Sequence, residues 1–483
     1  MGSERKNSIG KNIFHLFYST AFSSGLNALT LVILANYLDS PSYGMFSVAL
    51  AFALIMGYFT DVGVSVSVLR EGAKKEVSLS AVISSYIKIR IVLLGITFAC
   101  GFCLIYLIYH SNTELIKAMY YLTFPMVTGL ALQSISITYF QLTEKMQYLG
   151  FIRILSAVLL VLSVSLGMFF SLRPNLIYLV YGCSYLLAGI GGMYLISQRI
   201  AIRLRSAFHK GLLKNILSFI VSGLLIVILP QIGPIVLEKT LTLKLVGFFA
   251  VAYRIPFSLY QIPGVLAGAF YPALFKRYNS KGIEEHLQLN IMQLKLMALT
   301  GMAVTIPLYY MPEIIIGSLF GKKWLFASSA LQILSFLLVL QSVNVALADG
   351  LTTRALQSRR TIVQAAAVVG GVGFYILFSQ RYGVEGAAFA GVAVELLCLA
   401  GFWLLNPSRK TLAIKVLLPY LGSFALLFVL ITYFFYTHPV LAAVLHLLCL
   451  LIIIAADPQL IRKLIDITNK KRILRKKAVD PRG

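Results

Sequence analysis

Several ionisable residues of this chain fall inside long apolar stretches, where a charge is costly unless it serves a function or finds a partner. The bases are Lys88, Arg90, Arg254 and Lys295, and the acids are Asp61, Asp349 and Glu395. A guanidinium presents a planar fork of donors that fits a phosphate, and its charge-assisted hydrogen bonds are about twice as strong as neutral ones. Arg254 lies about ten residues inside one end of its stretch and Arg90 about ten inside the opposite end of its own, roughly 15 Å deep in each case. Two such groups near a midplane suit an anion held in a wet cavity. Arg90 also has a structural reading, because its stretch returns antiparallel to the one carrying Asp61, at similar depth. Lys88 and Arg90 are about 200° apart on a helix, so both cannot face one cavity, and one of them is placed to neutralise Asp61. Lys295 is nearer a helix end and is expected to snorkel.

A proton or sodium coupling site would need Asp61, Asp349 or Glu395. The structural alternatives are a pair with Arg354 for Asp349 and a protonated, interhelical carboxyl for Glu395. Thr20, Ser23, Ser24, Asn27 and Thr30 form a polar stripe at helical spacing, and Gln341 with Asn344 supplies amides on another stretch. These residues either line a polar cavity or let helices pack closely. Pro256, Pro263, Pro272, Gly264 and Gly268 interrupt the stretch that carries Arg254, as a gating bend or a static kink. No catalytic constellation, metal-ligand set or Walker-type glycine loop is evident, and no cofactor is expected. Cys100 and Cys103 make a lone CxxC, which is read with Cys183, Cys398 and Cys449 as apolar packing.

The elements that must position these residues are membrane helices. With 59% apolar and 12% charged residues over 483 positions, and a mean hydropathy of +0.86, a bilayer has to be the solvent. Apolar stretches of about 20 residues match a hydrocarbon core of about 30 Å, and about fourteen recur. Their centres lie near Ala28, Ala53, Leu94, Leu130, Leu160, Leu186, Leu225, Ala267, Ala298, Val339, Val369, Leu396, Phe424 and Cys449. The polar start leads into a long first stretch with no short cleavable signal, so that helix is expected to stay. The net charge of +25 resembles a nucleic-acid footprint until the bases are placed. Most fall in alternate connections, at Arg70 to Lys75, Arg199 to Lys214, Lys276 and Arg277, Arg359 and Arg360, and Lys470 to Lys477. That is a positive-inside bias with both termini cytoplasmic and no nucleic-acid partner. Leu460 to Lys477 reads as a basic amphipathic helix on the inner leaflet.

Leu38 with Tyr43-Gly44-Met45-Phe46-Ser47-Val48-Ala49 returns as Leu241 with Val246-Gly247-Phe248-Phe249-Ala250-Val251-Ala252. A weaker echo sets Phe170-Ser171-Leu172-Arg173 beside Phe378-Ser379-Gln380-Arg381. Six helices thus make a unit, and an even number gives both copies one orientation, related by a pseudo-twofold axis along the membrane normal. The expected organisation is a six-helix lobe over 1–197, a cytoplasmic linker over 198–212, a second lobe over 213–406, two extra helices over 407–457 and a basic tail over 458–483. All connections are too short to fold into a catalytic domain.

Leu34-Ala35-Asn36-Tyr37-Leu38 with Tyr43-Gly44-Met45-Phe46-Ser47 and Asp61-Val62-Gly63 resembles the opening of the Wzx-type oligosaccharide flippases. Ala252-Tyr253-Arg254-Ile255-Pro256, Pro263-Gly264, Phe270-Tyr271-Pro272-Ala273-Leu274, Phe320-Gly321-Lys322-Lys323-Trp324 and Tyr382-Gly383-Val384-Glu385-Gly386-Ala387-Ala388 are similar to the same family. The resemblance spans roughly Ser8 to Leu405 and implies the multidrug, oligosaccharidyl-lipid and polysaccharide exporter superfamily, with two lobes working by alternating access. It brings no catalytic motif. It implies a non-enzymatic carrier of an undecaprenyl-pyrophosphate-type lipid-linked oligosaccharide in a bacterial cytoplasmic membrane, a monomer among membrane lipids, with a polysaccharide polymerase as a candidate partner. A multidrug exporter of the same superfamily, an integral polymerase or glycosyltransferase, and a transport-inactive scaffold stay open as alternatives.

Overall fold

The computed structural model describes residues 2–74, 77–205, 207–213, 217–435 and 437–461, and the regular structure among them is entirely helical. The expected amphipathic tail falls almost wholly outside the described residues. The first half contains α1 (Gly2–Tyr37), α2 (Ser40–Phe59), α3 (Val64–Gly72), α4 (Leu79–Tyr109), α5 (Thr113–Leu142), α6 (Met146–Phe169) and α7 (Pro174–Ser197). Next come α8 (Leu217–Ile228), α9 (Ile232–Thr240), α10 (Leu243–Leu259), α11 (Gln261–Lys281), α12 (Ile283–Tyr310), α13 (Pro312–Phe320), α14 (Ser328–Leu334) and α15 (Phe336–Thr352). The chain finishes through α16 (Gln357–Leu404), α17 (Arg409–Leu412), a π-helical run over Ala413–Gly422, α18 (Ser423–Phe435) and α19 (Pro439–Ala455).

Helix ends follow local chemistry. Asp39 accepts a hydrogen bond from the Ser42 amide at 3.0 Å, and Pro41 occupies the first turn, so only two residues separate α1 from α2. Asn112 caps α5 through the Leu115 amide at 3.0 Å. Twelve helical stretches among the described residues are long and apolar enough to cross a membrane. The longest, α16, has 48 residues and at about 1.5 Å each would outreach a bilayer core of about 30 Å. It breaks at Gly383, whose φ of 60° and ψ of −131° suit glycine alone, so it supplies two spans. With the shorter apolar α19, each expected span centre falls on an apolar helix.

Contacts divide the chain into two compact units. The first comprises Met1–Gln261, Ile316–Leu334 and Thr361–Leu397, and the second Ile262–Ile315, Ser335–Arg360 and Cys398–Gly483. In the first unit α5 and α7 approach through glycine: a Cβ at Gly129 would meet the Tyr185 backbone at 2.3 Å, and one at Gly189 the Gly129 carbonyl at 2.8 Å. The repeat shows itself in the crossing of α2 with α10. A Cβ at Gly44 would lie 2.1 Å from the Leu243 oxygen, and one at Gly247 would lie 2.1 Å from the Ser40 oxygen. Ser40 and Leu243, like Gly44 and Gly247, occupy equivalent repeat positions, so the contact is reciprocal, as a twofold requires. Trp324 closes the same end of the unit by donating from Nε1 to the Ala35 carbonyl at 3.0 Å, while Lys323 donates to the Asn36 and Leu38 carbonyls.

The linker is docked. The Arg203 and His209 amides donate to Ser84 and Ser85 hydroxyls on α4, both at 3.0 Å. Leu212 is fully buried among Val64, Val68, Val82, Ile83 and Tyr86. Glu71 at the end of α3 accepts from Lys74 at 2.7 Å and lies 3.3 Å from His209.

In the second unit α12 packs on α15 at Gly301 and Gly350, and an aromatic cluster of Tyr309, Tyr310, Phe336, Phe424, Phe428 and His446 joins α12 and α15 to α18 and α19. Cys100 and Cys103 are exposed on α4, which corrects their assignment to packing.

Candidate functional site

Arg254 sits on α10 two turns beyond the Gly247 crossing and is 8% exposed. Its charge interacts with the phenols of Tyr43 on α2 and of Tyr181 and Tyr185 on α7. The Tyr43 hydroxyl is near enough for attraction but misses hydrogen-bond geometry and has no hydrogen-bond partner. Phe46 and Tyr181 pack edge to face, with ring centroids 4.9 Å apart. Among the described residues no carboxylate lies within ion-pair distance of Arg254. Burying a cation is unfavourable unless its charge is met, and phenol oxygens and ring faces meet it only in part. An anion would complete the site. Pro256 cannot donate to the Ala252 carbonyl, so the helix ladder is already open beside Arg254. The break expected from the prolines falls at Tyr260, between α10 and α11.

Arg90 is more completely enclosed, at 2% exposure, but it is paired. Nη2 lies 3.7 Å from Asp61, Nη1 donates to Thr60 Oγ1 at 2.8 Å, and the guanidinium stands 5.3 Å from the Tyr86 ring centroid. Asp61 also accepts from the Tyr86 hydroxyl at 3.1 Å and from both the amide and the hydroxyl of Ser65. The structural reading of Arg90 is therefore realised, with Arg90 rather than Lys88 facing Asp61. Lys88 is half-buried on α4, and Asn27 is half-buried on α1.

In the second unit Asp349 is buried and accepts from Gln293 Nε2 at 2.8 Å, while Asn290 donates to the Ala346 carbonyl and to Gln293 Oε1. Its cationic neighbour is Arg360, not the anticipated Arg354, which donates to Ser408 at 3.0 Å. Gln341 is half-buried and Asn344 buried on α15, two turns and about one turn before Asp349. In the first unit Glu395 is half-buried within reach of Tyr253 and Tyr375.

Lys295 corrects the snorkelling expectation: it donates to Asp457 at 2.5 Å and Gln459 at 3.0 Å, beside the Tyr420 ring. The Tyr420 hydroxyl donates to the same Asp457 oxygen. Lys415, Pro419 and Ser423 complete a cavity of about 500 Å³ around this pair.

One cation was passed over in the sequence. Arg153 on α6 donates from Nη1 to Thr20 Oγ1 at 2.7 Å, joining α6 to the polar stripe of α1. The available signal was a polar stripe on α1 that could receive an arginine from a neighbouring helix.

The profile of the family described as polysaccharide biosynthesis protein matches residues 9–278. No curated protein matches the chain. Among solved structures, the lipid II flippase MurJ in an inward closed conformation is 16% identical with a TM-score of 0.64, over 90% of this chain and 97% of that one. An inward-facing multidrug resistance MATE family transporter of the MOP superfamily is 15% identical with a TM-score of 0.68, over 81% of this chain and 95% of that one. An outward-facing transporter of the same description gives 17% and 0.58, over 84% and 96%. At these identities the likeness is one of fold.

Proposed function

Since the chain belongs to the polysaccharide biosynthesis protein family and is a multi-pass membrane protein with a flippase-like fold, we propose that it carries a lipid-linked oligosaccharide across its membrane. The cargo is of undecaprenyl-pyrophosphate type, and it moves from the cytoplasmic to the outer leaflet of a bacterial cytoplasmic membrane. Two six-helix lobes over 1–197 and 213–406, joined by the 198–212 linker, alternate in access. The protein performs no covalent chemistry in this reading. The observation that carries it is Arg254, a buried guanidinium ringed by phenols with no carboxylate partner among the described residues. That is the chemistry a pyrophosphate would satisfy.

Arg90 serves as a second anchor in a state where Asp61 releases it, with Lys88 nearby; Asn27 in the first unit, and Gln341 with Asn344 in the second, are the candidates for contact with the sugar. Outward movement of about two negative charges follows an inside-negative potential worth roughly 2.3 kcal/mol per charge per 100 mV, so no nucleotide hydrolysis is required. Asp61, Asp349 and Glu395 are the candidates for ion coupling. The test is flipping of a fluorescent lipid-linked oligosaccharide in proteoliposomes. Arg254→Gln is expected to abolish it, while Arg254→Lys retains a fraction; unchanged flipping in Arg254→Gln removes the proposed site. A multidrug exporter has the MATE fold likeness in its favour. Drug susceptibility that rises in a deletion strain with intact surface polysaccharide would select it.

A further inference from the structure

Arg153 is half-buried in α6, seven residues past the first helical residue Met146, which sets it about 10 Å from that end of the helix. Among the described residues no carboxylate lies within ion-pair distance, and its one protein hydrogen bond goes to Thr20. A guanidinium has five donors. Four therefore remain for something else.

The helix geometry says which way they look. Phe151, Leu162 and Leu166 are exposed and mark the acyl-facing stripe of α6. Arg153 is about 200° around the helix from Phe151, so it points away from that stripe. Ile152 fills the core, Gly150 lets Ser19 of α1 approach closely, and Arg153 reaches Thr20 one residue further along α1. Thr20, Ser24 and Asn27 follow one another at i, i+4 and i+7, so hydroxyl and amide groups continue inward from the arginine. The charge pattern makes the Met146 end of α6 the cytoplasmic one. A cation at this level, held by a hydroxyl and leading onto a polar stripe, is built to receive an anion from the cytoplasmic leaflet before Arg254 does.

We infer that Arg153, positioned by Thr20, is a loading site for the pyrophosphate of an isoprenoid-linked cargo, separate from the deeper Arg254 site. The inference rests on the functional reading above. It differs in predicting that Arg153 governs capture rather than translocation.

The purified full-length protein in nanodiscs is titrated with farnesyl pyrophosphate, inorganic pyrophosphate and phosphatidylglycerol. Arg153→Gln should weaken farnesyl pyrophosphate binding about tenfold, the scale of losing one charge-assisted anchor. Arg153→Lys and Thr20→Val should stay within about threefold of wild type, since charge is kept in the first and the guanidinium in the second. In flipping assays Arg153→Gln should need about tenfold more substrate and reach the wild-type maximal rate. Equal weakening in all three variants, with lowered melting temperature, would make Arg153 a strut between α1 and α6 and overturn the inference. A matching loss for phosphatidylglycerol would make it a general lipid contact, which also overturns it. Binding by wild type that Arg254→Gln weakens and Arg153→Gln does not sinks the loading site alone, whereas no farnesyl pyrophosphate binding by wild type removes the functional reading itself.

Discussion

Replacing Gly44 or Gly247 by alanine tests the crossing of α2 and α10 directly. The new Cβ would lie 2.1 Å from a carbonyl oxygen of the facing helix in either case. Ordinary contact begins near 3.4 Å, so the backbones must part by roughly 1 Å. Overpacking of this kind costs typically 1–3 kcal/mol. Taking about 2 kcal/mol, the closed crossing loses about 30-fold in population against any state in which it is parted. Because the contact is reciprocal, one separation relieves both alanines. The double variant should therefore cost about as much as either single one, well short of the sum expected for independent sites. Ser47, fully buried one turn along α2, provides the reporter. In a background lacking the five native cysteines, Ser47→Cys should resist a membrane-impermeant maleimide, and Gly44→Ala or Gly247→Ala should make the new thiol reactive. Additive stability losses, with the thiol at position 47 still unreactive, would refute the idea that this crossing is a single reciprocal closure.

Asp457→Asn should lower stability by about 3 kcal/mol, because it leaves Lys295 buried without its carboxylate, and thermal unfolding in detergent reads this out. Burial raises the Asp457 carboxyl, but hydrogen bonds from Lys295 and Tyr420 outweigh it and hold the group below its usual 3.8. Its stabilisation is thus complete above pH 3.8 and lost as pH falls through the lower folded value, so the wild type and Asp457→Asn should converge in acid. Asp61→Asn should destabilise by roughly 1–3 kcal/mol and Arg90→Gln by a similar amount, with the double variant recovering about 1 kcal/mol or more in a thermodynamic cycle. Glu71→Gln removes the negative charge that Lys74 and His209 share, and limited trypsin digestion should then cut faster at Arg203 and Arg205.

The spans were legible in the sequence because they depend on local hydropathy, and each expected span centre lies on a helix. The repeat was legible too, since Gly44 and Gly247 recur in a shared pattern and meet at the crossing. Partnership was less so. Lys295 finds Asp457 across 162 positions, and Asp349 finds Gln293 through the packing of α15 on α12. Such pairings depend on the rotation of each helix about its own axis, which tertiary packing sets and an apolar stretch does not encode. Arg90 was half-legible for the same reason: its depth matched Asp61, but the choice between Arg90 and Lys88 needed the azimuth. Arg153 escaped because its meaning comes from Thr20 on a helix well separated from it in sequence.

The docked linker also sets a mechanical limit. Backbone amides fasten residues 203 and 209 to α4, and Leu212 is sunk among its neighbours, so most of the segment's length is unavailable as slack. From Leu213 to Leu217 a fully drawn chain reaches at most about 14 Å. The start of α8 is on a short leash, and any shift of α8 away from α4 is a pivot of bounded radius unless the strap first peels from α4.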